Sequence, residues 1–495
     1  MNPIEAAKTS KLEYVVTRNA LLEEDRDYAI GSDVKLNEKE QAVNKYLMKY
    51  KYEELDEGFV KPENFLASNH FFKVKDKIDK SKVFEFIKKL PKGASLHSHD
   101  TAMASGEFLY QLTFKDNLYC LVEGGTLKLQ FFRDCQCKGS WKLLSDLRKD
   151  PDFERFLKNK LTLICSYPEI EYPDLNSAWT DFQNLFINLE KLITYKPVFQ
   201  EYFYQSLKET YEENVKYIEF RGYLPIVYEL DGREYGPVEV VGLYDETLKQ
   251  FKKDFPDFID CKFIFAPHRL VNNEVMNDYV RIYKDIKKAY PELVIGFDLV
   301  GQEDLGEPLL NFTTQLLELK NFGCKFFFHA GETNWNGQSS DLNLFDAILL
   351  DSIRLGHAIA LLKHPAAAKL VKEKGIAIEI CPISNQVLKL ISDLRNHPAS
   401  IMIANNYPVV VSSDDPSFWG AKGISYDWYV TFMAISHRDS DLRLLKKLAL
   451  NALDYSGLEK EEKELAKLHW EADWEAFIRS VYYEYSNDEK CMCNK

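Results

Sequence analysis

The 495-residue sequence lacks any long apolar run, since no stretch approaches the roughly 18 residues that a membrane-spanning helix needs. No apolar segment of the signal-peptide type follows Met1, so we expect either a cytosolic protein or a chain whose leader has been removed. Basic residues are outnumbered, with 63 Lys and Arg against 77 Asp and Glu, and a net charge of −14 argues against a nucleic acid as partner. What remains, at 45% hydrophobic residues, is a globular chain long enough for one barrel with additions or for two or three domains.

Histidine is scarce as well, with 10 in the chain, yet four of them lie in short polar clusters that each follow an apolar run. In chain order the clusters are LHSH at 96–99, HAGE at 329–332, GHA at 356–358 and SSDDP at 412–416. His97 and His99 are two residues apart, so on a strand both imidazoles point the same way. Histidine nitrogens and a carboxylate oxygen are ligands that suit zinc. The clusters therefore predict a metal site, with Glu332 as a nearby acid or base.

Eight apolar runs alternate with helix-like stretches after the first cluster begins. They lie at 94–99, 215–221, 262–267, 294–299, 325–329, 352–356, 376–381 and 408–413. Continuous apolar runs are typical of strands buried on both faces, and repeated strand–helix units predict a (β/α)8 TIM-type barrel. Because the strands of such a barrel end at one mouth, we expect the four clusters to meet there.

The first two predicted strands are about 115 residues apart, far more than the few tens that one βα unit needs. We therefore predict three parts: a helical extension over residues 1–80, a barrel over 81–111 and 171–485, and an inserted subdomain over 112–170. The insertion contains Cys120, Cys135 and Cys137, three of nine cysteines, and this grouping favours a local disulfide.

Each cluster taken alone has an ordinary structural explanation. The histidine pair of LHSH can bond to the backbone, His329 and His357 can be satisfied core histidines, and the DDP triplet can be a surface turn. Their joint occurrence at four predicted strand ends favours the metal site.

The order of the clusters resembles the adenosine deaminase family. Its pattern of H-x-H, D-L-x-G, H-A-G-E, G-H-A and S-x-D-D-P is present, with DLVG at 298–301 as the second motif. The surrounding segments LPKG, GFDLVG, FFHAGET, EICPISNQVLKLISDLRNHP, VVVSSDDP and GAKGISYD are similar to one branch, the secreted adenosine deaminase growth factors. The resemblance covers about residues 80–480.

The resemblance implies one zinc ion per chain and a catalytic pair. The implied metal ligands are His97, His99, His329 and Asp414. Zinc lowers the pKa of a water molecule. His357 would orient the resulting hydroxide and take part in proton transfer, and a protonated Glu332 would donate to N1 of the purine.

The resemblance also implies substrate contacts. Asp415 would hydrogen-bond N7 and the Gly301 N–H would meet N3, while Asp100 and Trp179 would contact the ribose. The general family has its ribose-binding aspartate one residue later, where this chain has Thr101. We therefore expect the base contacts to follow the family more closely than the ribose contacts.

The resemblance further implies a secreted homodimer that converts adenosine and 2′-deoxyadenosine to inosine and ammonia. The insertion would bind a cell-surface receptor and hold a disulfide between Cys120 and Cys137, with Cys135 the alternative partner. Asn311 begins one glycosylation sequon. Two other functions stay open: an adenine or AMP deaminase, and a growth-factor-like receptor ligand with secondary catalysis. An AMP enzyme needs a basic phosphate site, and no Lys/Arg cluster lies near the motifs.

The predicted dimer depends on the N-terminal extension. Val43, Tyr46, Leu47 and Tyr50 recur at three- and four-residue spacing and form one apolar stripe on a predicted helix. Such a stripe must be buried on the protein's own barrel or on a partner subunit. The resemblance favours the partner.

Overall fold

The structure is a computed structural model that describes residues 10–133 and 140–493, with side chains described as far as residue 485. Its strands are β1 Gly93–Ser95, β2 Leu118–Glu123, β3 Thr126–Phe131, β4 Lys142–Leu143, β5 Val215–Gly222, β6 Val227–Tyr228, β7 Glu234–Tyr235, β8 Asp260–Phe265, β9 Val294–Phe297, β10 Lys325–Phe326, β11 His329–Ala330, β12 Arg354–His357, β13 Ala377–Ile380 and β14 Val409–Val411.

Helices separate and surround these strands. They are α1 Lys11–Asp27, α2 Glu38–Val60, α3 Phe71–Ile78, α4 Lys82–Lys89, α5 Gly106–Leu112, α6 Leu144–Leu147, α7 Pro151–Asn159, α8 Pro168–Glu171, α9 Leu175–Ile193, α10 Lys196–Glu212, α11 Pro237–Asp254, α12 Asn273–Ala289, α13 Thr313–Asn321, α14 Ser339–Leu349, α15 Pro365–Lys374, α16 Pro382–Val387, α17 Ala399–Ala404, α18 Ser425–Val430, α19 Leu442–Asp454 and α20 Lys460–Cys493. Within the described residues, no helix combines the length and the apolar character needed to cross a membrane.

Two parallel sheets form the centre of the molecule. One has the order β1-β5-β8-β9-β10 and the other the order β11-β12-β13-β14. The first and last strands approach each other just beyond their ends, where Ser98 pairs with Asp414 in a parallel bridge. The sheets therefore curl as in a parallel α/β barrel, which is consistent with the predicted TIM-type fold.

All eight predicted strand positions carry strands, with one difference. The apolar run at 325–329 is divided into β10 and β11, and the two residues between them, Phe327 and Phe328, are fully buried. The break separates the two sheets. It also gives His329 its own pairing with Gly356 on β12.

The region between β1 and β5 contains a small antiparallel sheet of order β3-β2-β4. Cys120 on β2 is a buried free thiol. Cys135 and Cys137 lie outside the described residues, so the structure gives the predicted bridge no support and the pairing stays a prediction.

The apolar stripe of α2 lies against the protein's own barrel. Val43 and Leu47 are 0% and 1% exposed, and Glu40 on the same helix accepts hydrogen bonds from Lys446 on α19 and Trp474 on α20 at 2.6 and 2.7 Å. Burial within the chain was the alternative explanation of this stripe, so the preference for a partner subunit at α2 was wrong. The reason is that α19 and α20 present apolar faces to α2, which the sequence pattern of α2 does not reveal.

Candidate metal centre and substrate cavity

Three histidines and one aspartate meet where their strands end. The ligand atoms of His97, His99, His329 and Asp414 all lie within 4.8 Å of one another. Asp414 Oδ1 is 3.1 Å from the Nε2 atom of His97 and 3.1 Å from that of His99. The structure thus brings together all four predicted ligands.

The backbone fixes the direction of these side chains. The amide of Asp414 donates to the His97 carbonyl at 3.1 Å, and the amide of His99 donates to the Asp414 carbonyl at 3.3 Å. Asp414 and His357 both have a φ of 61°, in the left-handed region. Such backbone is unfavourable for residues other than glycine and is found disproportionately at functional sites.

Carboxylates hold the second nitrogen of two of the histidines. Nδ1 of His97 is 2.6 Å from Glu379 Oε2, and Nδ1 of His329 is 2.6 Å from Asp298 Oδ2. Each contact leaves Nε2 free to face the centre, as carboxylate–histidine–metal arrangements require.

Two buried arginines support these carboxylates. Arg221 donates to Asp298 and to Glu379, at 2.8 Å each, and Arg354 donates to Glu379 at 2.6 Å and to Glu219 at 2.6 Å. Burial alone would raise the pKa of Glu379, but the two guanidinium groups outweigh it and hold this pKa well below its usual range. Glu379 therefore stays ionised and can accept from the ring of His97.

Several buried atoms at the centre have unused bonding capacity. Within the described part of the chain, His97 Nε2, His357 Nε2 and Asp414 Oδ1 have no partner in hydrogen-bonding geometry. Unpaired buried polar atoms are rare because each is costly. Three imidazole nitrogens and a carboxylate oxygen converging on one point form a donor set that fits zinc.

Glu332 and His357 lie next to this centre. Glu332 Oε1 is 3.5 Å from His357 Nε2, and the backbone amide of Glu332 donates to Glu303 Oε2 at 2.6 Å. Burial, together with the nearby Asp414 carboxylate, raises the pKa of Glu332 well above its usual range. Burial lowers the pKa of His357 well below its usual range. Both shifts favour the neutral forms of this pair, the protonated carboxyl group of Glu332 and the unprotonated ring of His357.

A cavity of about 360 Å³ opens beside the pair, within the range of about 300–1,000 Å³ that small-molecule sites occupy. Every predicted site residue except His97 lines it. The predicted lining residues are His99, Asp100, Trp179, Gly301, His329, Glu332, His357, Asp414 and Asp415.

Two carboxyl groups in this cavity have distinct environments. Burial and the adjacent Asp414 raise the pKa of Asp415 well above its usual range, and its Oδ1 has no partner among the described residues. Asp100 accepts from Tyr244 Oη at 2.7 Å and from Thr101 Oγ1 at 3.0 Å. An added Cβ at Gly222 would lie 2.3 Å from Asp100 Oδ2, so a side chain there would displace this carboxylate.

Sequence reasoning missed other residues of the site. His268, Gln183 and Glu190 also line the cavity. His268 follows strand β8 by three residues, and this is the same strand-end signal that located the four clusters. Gln183 and Glu190 lie on α9 and carry no such signal.

The fold and the site together define a class of protein: a parallel α/β barrel with a candidate metal centre at the carboxyl ends of its strands. The chain belongs to the adenosine deaminase family. The family profile described as adenosine deaminase matches residues 166–468, and the profile described as adenosine/AMP deaminase N-terminal matches residues 2–87. The family expected from the sequence motifs is therefore confirmed.

Individual relatives agree with this assignment. An adenosine deaminase of Phlebotomus duboscqi is 45% identical over 471 residues, which cover 93% of this chain and 91% of the relative. Adenosine deaminase 2 of Homo sapiens is 39% identical over 477 residues, which cover 94% and 93%. A Burkholderia ambifaria amidohydrolase solved with bound zinc has a TM-score of 0.56 at 17% identity, covering 81% of this chain and 94% of that one; at this identity it bears on the fold alone.

Proposed function

We propose that the protein hydrolyses adenosine, and 2′-deoxyadenosine, to the inosine product and ammonia in a zinc-dependent reaction. The observation that carries the proposal is the convergence of four metal-competent side chains with a protonated Glu332 on one nucleoside-sized cavity. Membership of the adenosine deaminase family supports the same reaction.

The metal would be held by His97, His99, His329 and Asp414. When bound, zinc supplies the Lewis acidity that makes water nucleophilic near neutral pH. The chain's own part begins with the buried carboxylates Glu379 and Asp298, which keep the histidine rings oriented before substrate arrives.

Glu332 supplies the proton. Because its pKa is raised, its carboxyl group is protonated and can donate to N1 of the purine, which makes C6 electrophilic. In the inosine product this proton stays on N1. The attacking water brings two protons, of which one leaves with the amine as ammonia and the other restores the Glu332 carboxyl group. His357, 3.5 Å away, lies on the same side of the cavity.

Asp415, Gly301, Asp100 and Trp179 would orient the nucleoside. A protonated Asp415 can donate from its unpaired carboxyl edge to N7, and the Gly301 amide can meet N3. Asp100 and Trp179 line the part of the cavity next to α9, where the ribose would lie.

The charge of the cavity favours a nucleoside over a nucleotide. Among the described residues that line it there is no lysine or arginine, while Asp100 and Glu190 contribute carboxyl groups. Burial lowers the pKa of His268, so this ring is neutral near pH 7. A 5′-phosphate would find no cationic partner, which argues against the AMP deaminase alternative.

We also propose that the protein is a secreted homodimer. Its first helix supports the dimer: α1 lies wholly within the described residues, none of its residues is buried, and it exposes Leu12, Tyr14 and Val16 by 74%, 59% and 61%. The sequon Asn311 is exposed, as glycosylation requires. The resemblance supports two further proposals. Residues 112–170 bind a cell-surface receptor, and the chain divides into its parts at residues 80, 111 and 170.

The test is the fall in ultraviolet absorbance when protein is added to adenosine, 2′-deoxyadenosine, AMP or adenine, each supplied as the only substrate. Turnover of adenosine and 2′-deoxyadenosine only is the expected result. Turnover of AMP at a comparable rate would replace the proposal with the nucleotide enzyme, and no turnover of any purine would favour a receptor ligand.

A further inference from the structure

A chain of hydrogen bonds runs behind His357, on the side away from the cavity. Nδ1 of His357 is 3.1 Å from Asn385 Nδ2, and Asn385 Oδ1 is 3.0 Å from His397 Nε2. Nδ1 of His397 is 3.0 Å from the backbone amide of Ala399. The three side chains are 0–1% exposed, and neither Asn385 nor His397 lines the cavity.

The direction of every bond in this chain follows from its last member. A backbone N–H can only donate, so Nδ1 of His397 is an acceptor and carries no proton. A neutral His397 then has its proton on Nε2 and donates to Asn385 Oδ1. Burial lowers the pKa of His397 to about 3, so the ring is neutral at working pH.

The same logic continues to the active site. Because Asn385 accepts at Oδ1, its amide nitrogen faces His357 and donates to Nδ1. His357 must therefore carry its proton on Nε2, the atom that faces Glu332 Oε1 at 3.5 Å. A proton on Nδ1 would meet the amide of Asn385, donor against donor.

We propose that Asn385 and His397 are positioning residues that fix His357 as its Nε2–H tautomer, so that His357 presents a hydrogen-bond donor to the reacting group and not a base. The catalytic meaning of this assignment rests on the proposed deaminase function, whereas the tautomer itself does not. Proton transfer is then the task of Glu332, and the task of His357 is to orient by donation. The hydrogen-bonded series His357–Asn385–His397, called the relay below, thus separates orientation from proton transfer, two roles that the family resemblance assigns jointly to His357.

The tautomer can be measured directly by nitrogen-15 NMR of the full chain labelled at histidine, with and without zinc. We expect His357, assigned by its loss in His357→Gln, to show a protonated Nε2 and a bare Nδ1. In Asn385→Asp a carboxylate faces Nδ1, so the proton should move to Nδ1. A wild-type His357 protonated at Nδ1, or a pattern unchanged in Asn385→Asp, would overturn the relay.

Kinetics give a second readout on the same variants. Asn385→Asp should lower kcat about 100-fold, the loss typical of removing one fixed donor, with KM and bound zinc unchanged because Asn385 does not touch the cavity. A kcat close to that of the wild type would overturn the relay. Wild-type protein that does not deaminate adenosine would instead defeat the proposed function, and the NMR result would still decide the tautomer.

A pair of substitutions at His397 guards against a folding defect in Asn385→Asp. His397→Gln keeps an amide donor for Asn385 Oδ1 and should retain most of kcat, whereas His397→Leu removes the donor and should lose it. The matched control is His364→Gln, since His364 is a largely buried histidine that bonds to Asp341 away from the site. Equal kcat in the two His397 variants would contradict the proposal.

Discussion

Glu332→Gln tests the proposed acid with the smallest change of shape. The side-chain amide of glutamine has the size of the carboxyl group that it replaces. The hydrogen bond from the backbone N–H of residue 332 to Glu303 does not involve the substituted side chain. The substituted glutamine would still donate a hydrogen bond, but it has no proton to transfer. We therefore expect substrate to bind and the chemical step to fail.

The magnitude follows from the role. General acids contribute about 10²–10⁴-fold, which equals a rise in the activation barrier of about 3–5 kcal/mol at 1.36 kcal/mol per factor of ten. The raised pKa of Glu332 means that the native carboxyl group is already neutral, so a neutral amide adds no desolvation penalty. Thermal stability and zinc content should change little.

The assay is steady-state deamination of adenosine by zinc-loaded protein, with metal content and melting temperature measured on the same samples. Glu54→Gln is the matched control, because burial also raises the pKa of Glu54 but its carboxylate bonds to Ser81 and Tyr429 outside the site. A Glu332→Gln kcat near that of the wild type would assign the acid to another group.

Three further predictions concern other parts of the chain. Burial lowers the pKa of Lys51 from 10.5 to about 7. Between these two pH values the folded chain binds fewer protons than the unfolded chain, so the free energy of unfolding should fall with falling pH by up to about 1.4 kcal/mol per unit. Urea unfolding of Lys51→Met should show a weaker pH dependence of stability than that of the wild type, and an equal dependence would contradict the shift. A chain beginning at residue 29, without α1, should be monomeric by light scattering if α1 forms the dimer, and an unchanged dimer would place the interface elsewhere. Tyr244→Phe removes the hydrogen bond to Asp100 and should raise the KM for adenosine about tenfold, equal to about 1.4 kcal/mol, with kcat unchanged. Tyr283→Phe, which changes another buried tyrosine, is the control. An unchanged KM in Tyr244→Phe would show that Tyr244 does not position the substrate.

The sequence predicted the positions of the strands and of the four candidate metal ligands for one physical reason. A strand buried on both faces needs a continuous apolar run, so a polar residue just after such a run, as at Asp414, marks the rim of the sheet. The same relation between an apolar strand and the polar residue after it holds for His268, which follows β8 and was not among the predicted site residues. It does not give the break between β10 and β11, because an apolar run looks the same whether one strand or two cross it.

Partners across the barrel could not be predicted. Glu379 and Arg354 are single charges inside apolar strands, and this signals a buried ionic role without naming a partner. Their pairing depends on the three-dimensional order of the strands, which brings Arg354 to Glu379 and to Glu219. The prediction that a partner subunit covers the apolar stripe of α2 was wrong for a similar reason. The spacing of apolar residues indicates that the stripe is buried, but it does not indicate which element packs against it.

The most direct test of the account is the rate of adenosine deamination as a function of zinc bound per chain. We predict that a chelator removes activity in proportion to the metal lost, that activity saturates at one zinc per chain when zinc is returned, and that His329→Ala neither binds this zinc nor turns over adenosine. Full turnover by metal-free protein, or a normal zinc content in His329→Ala, would contradict the proposed centre.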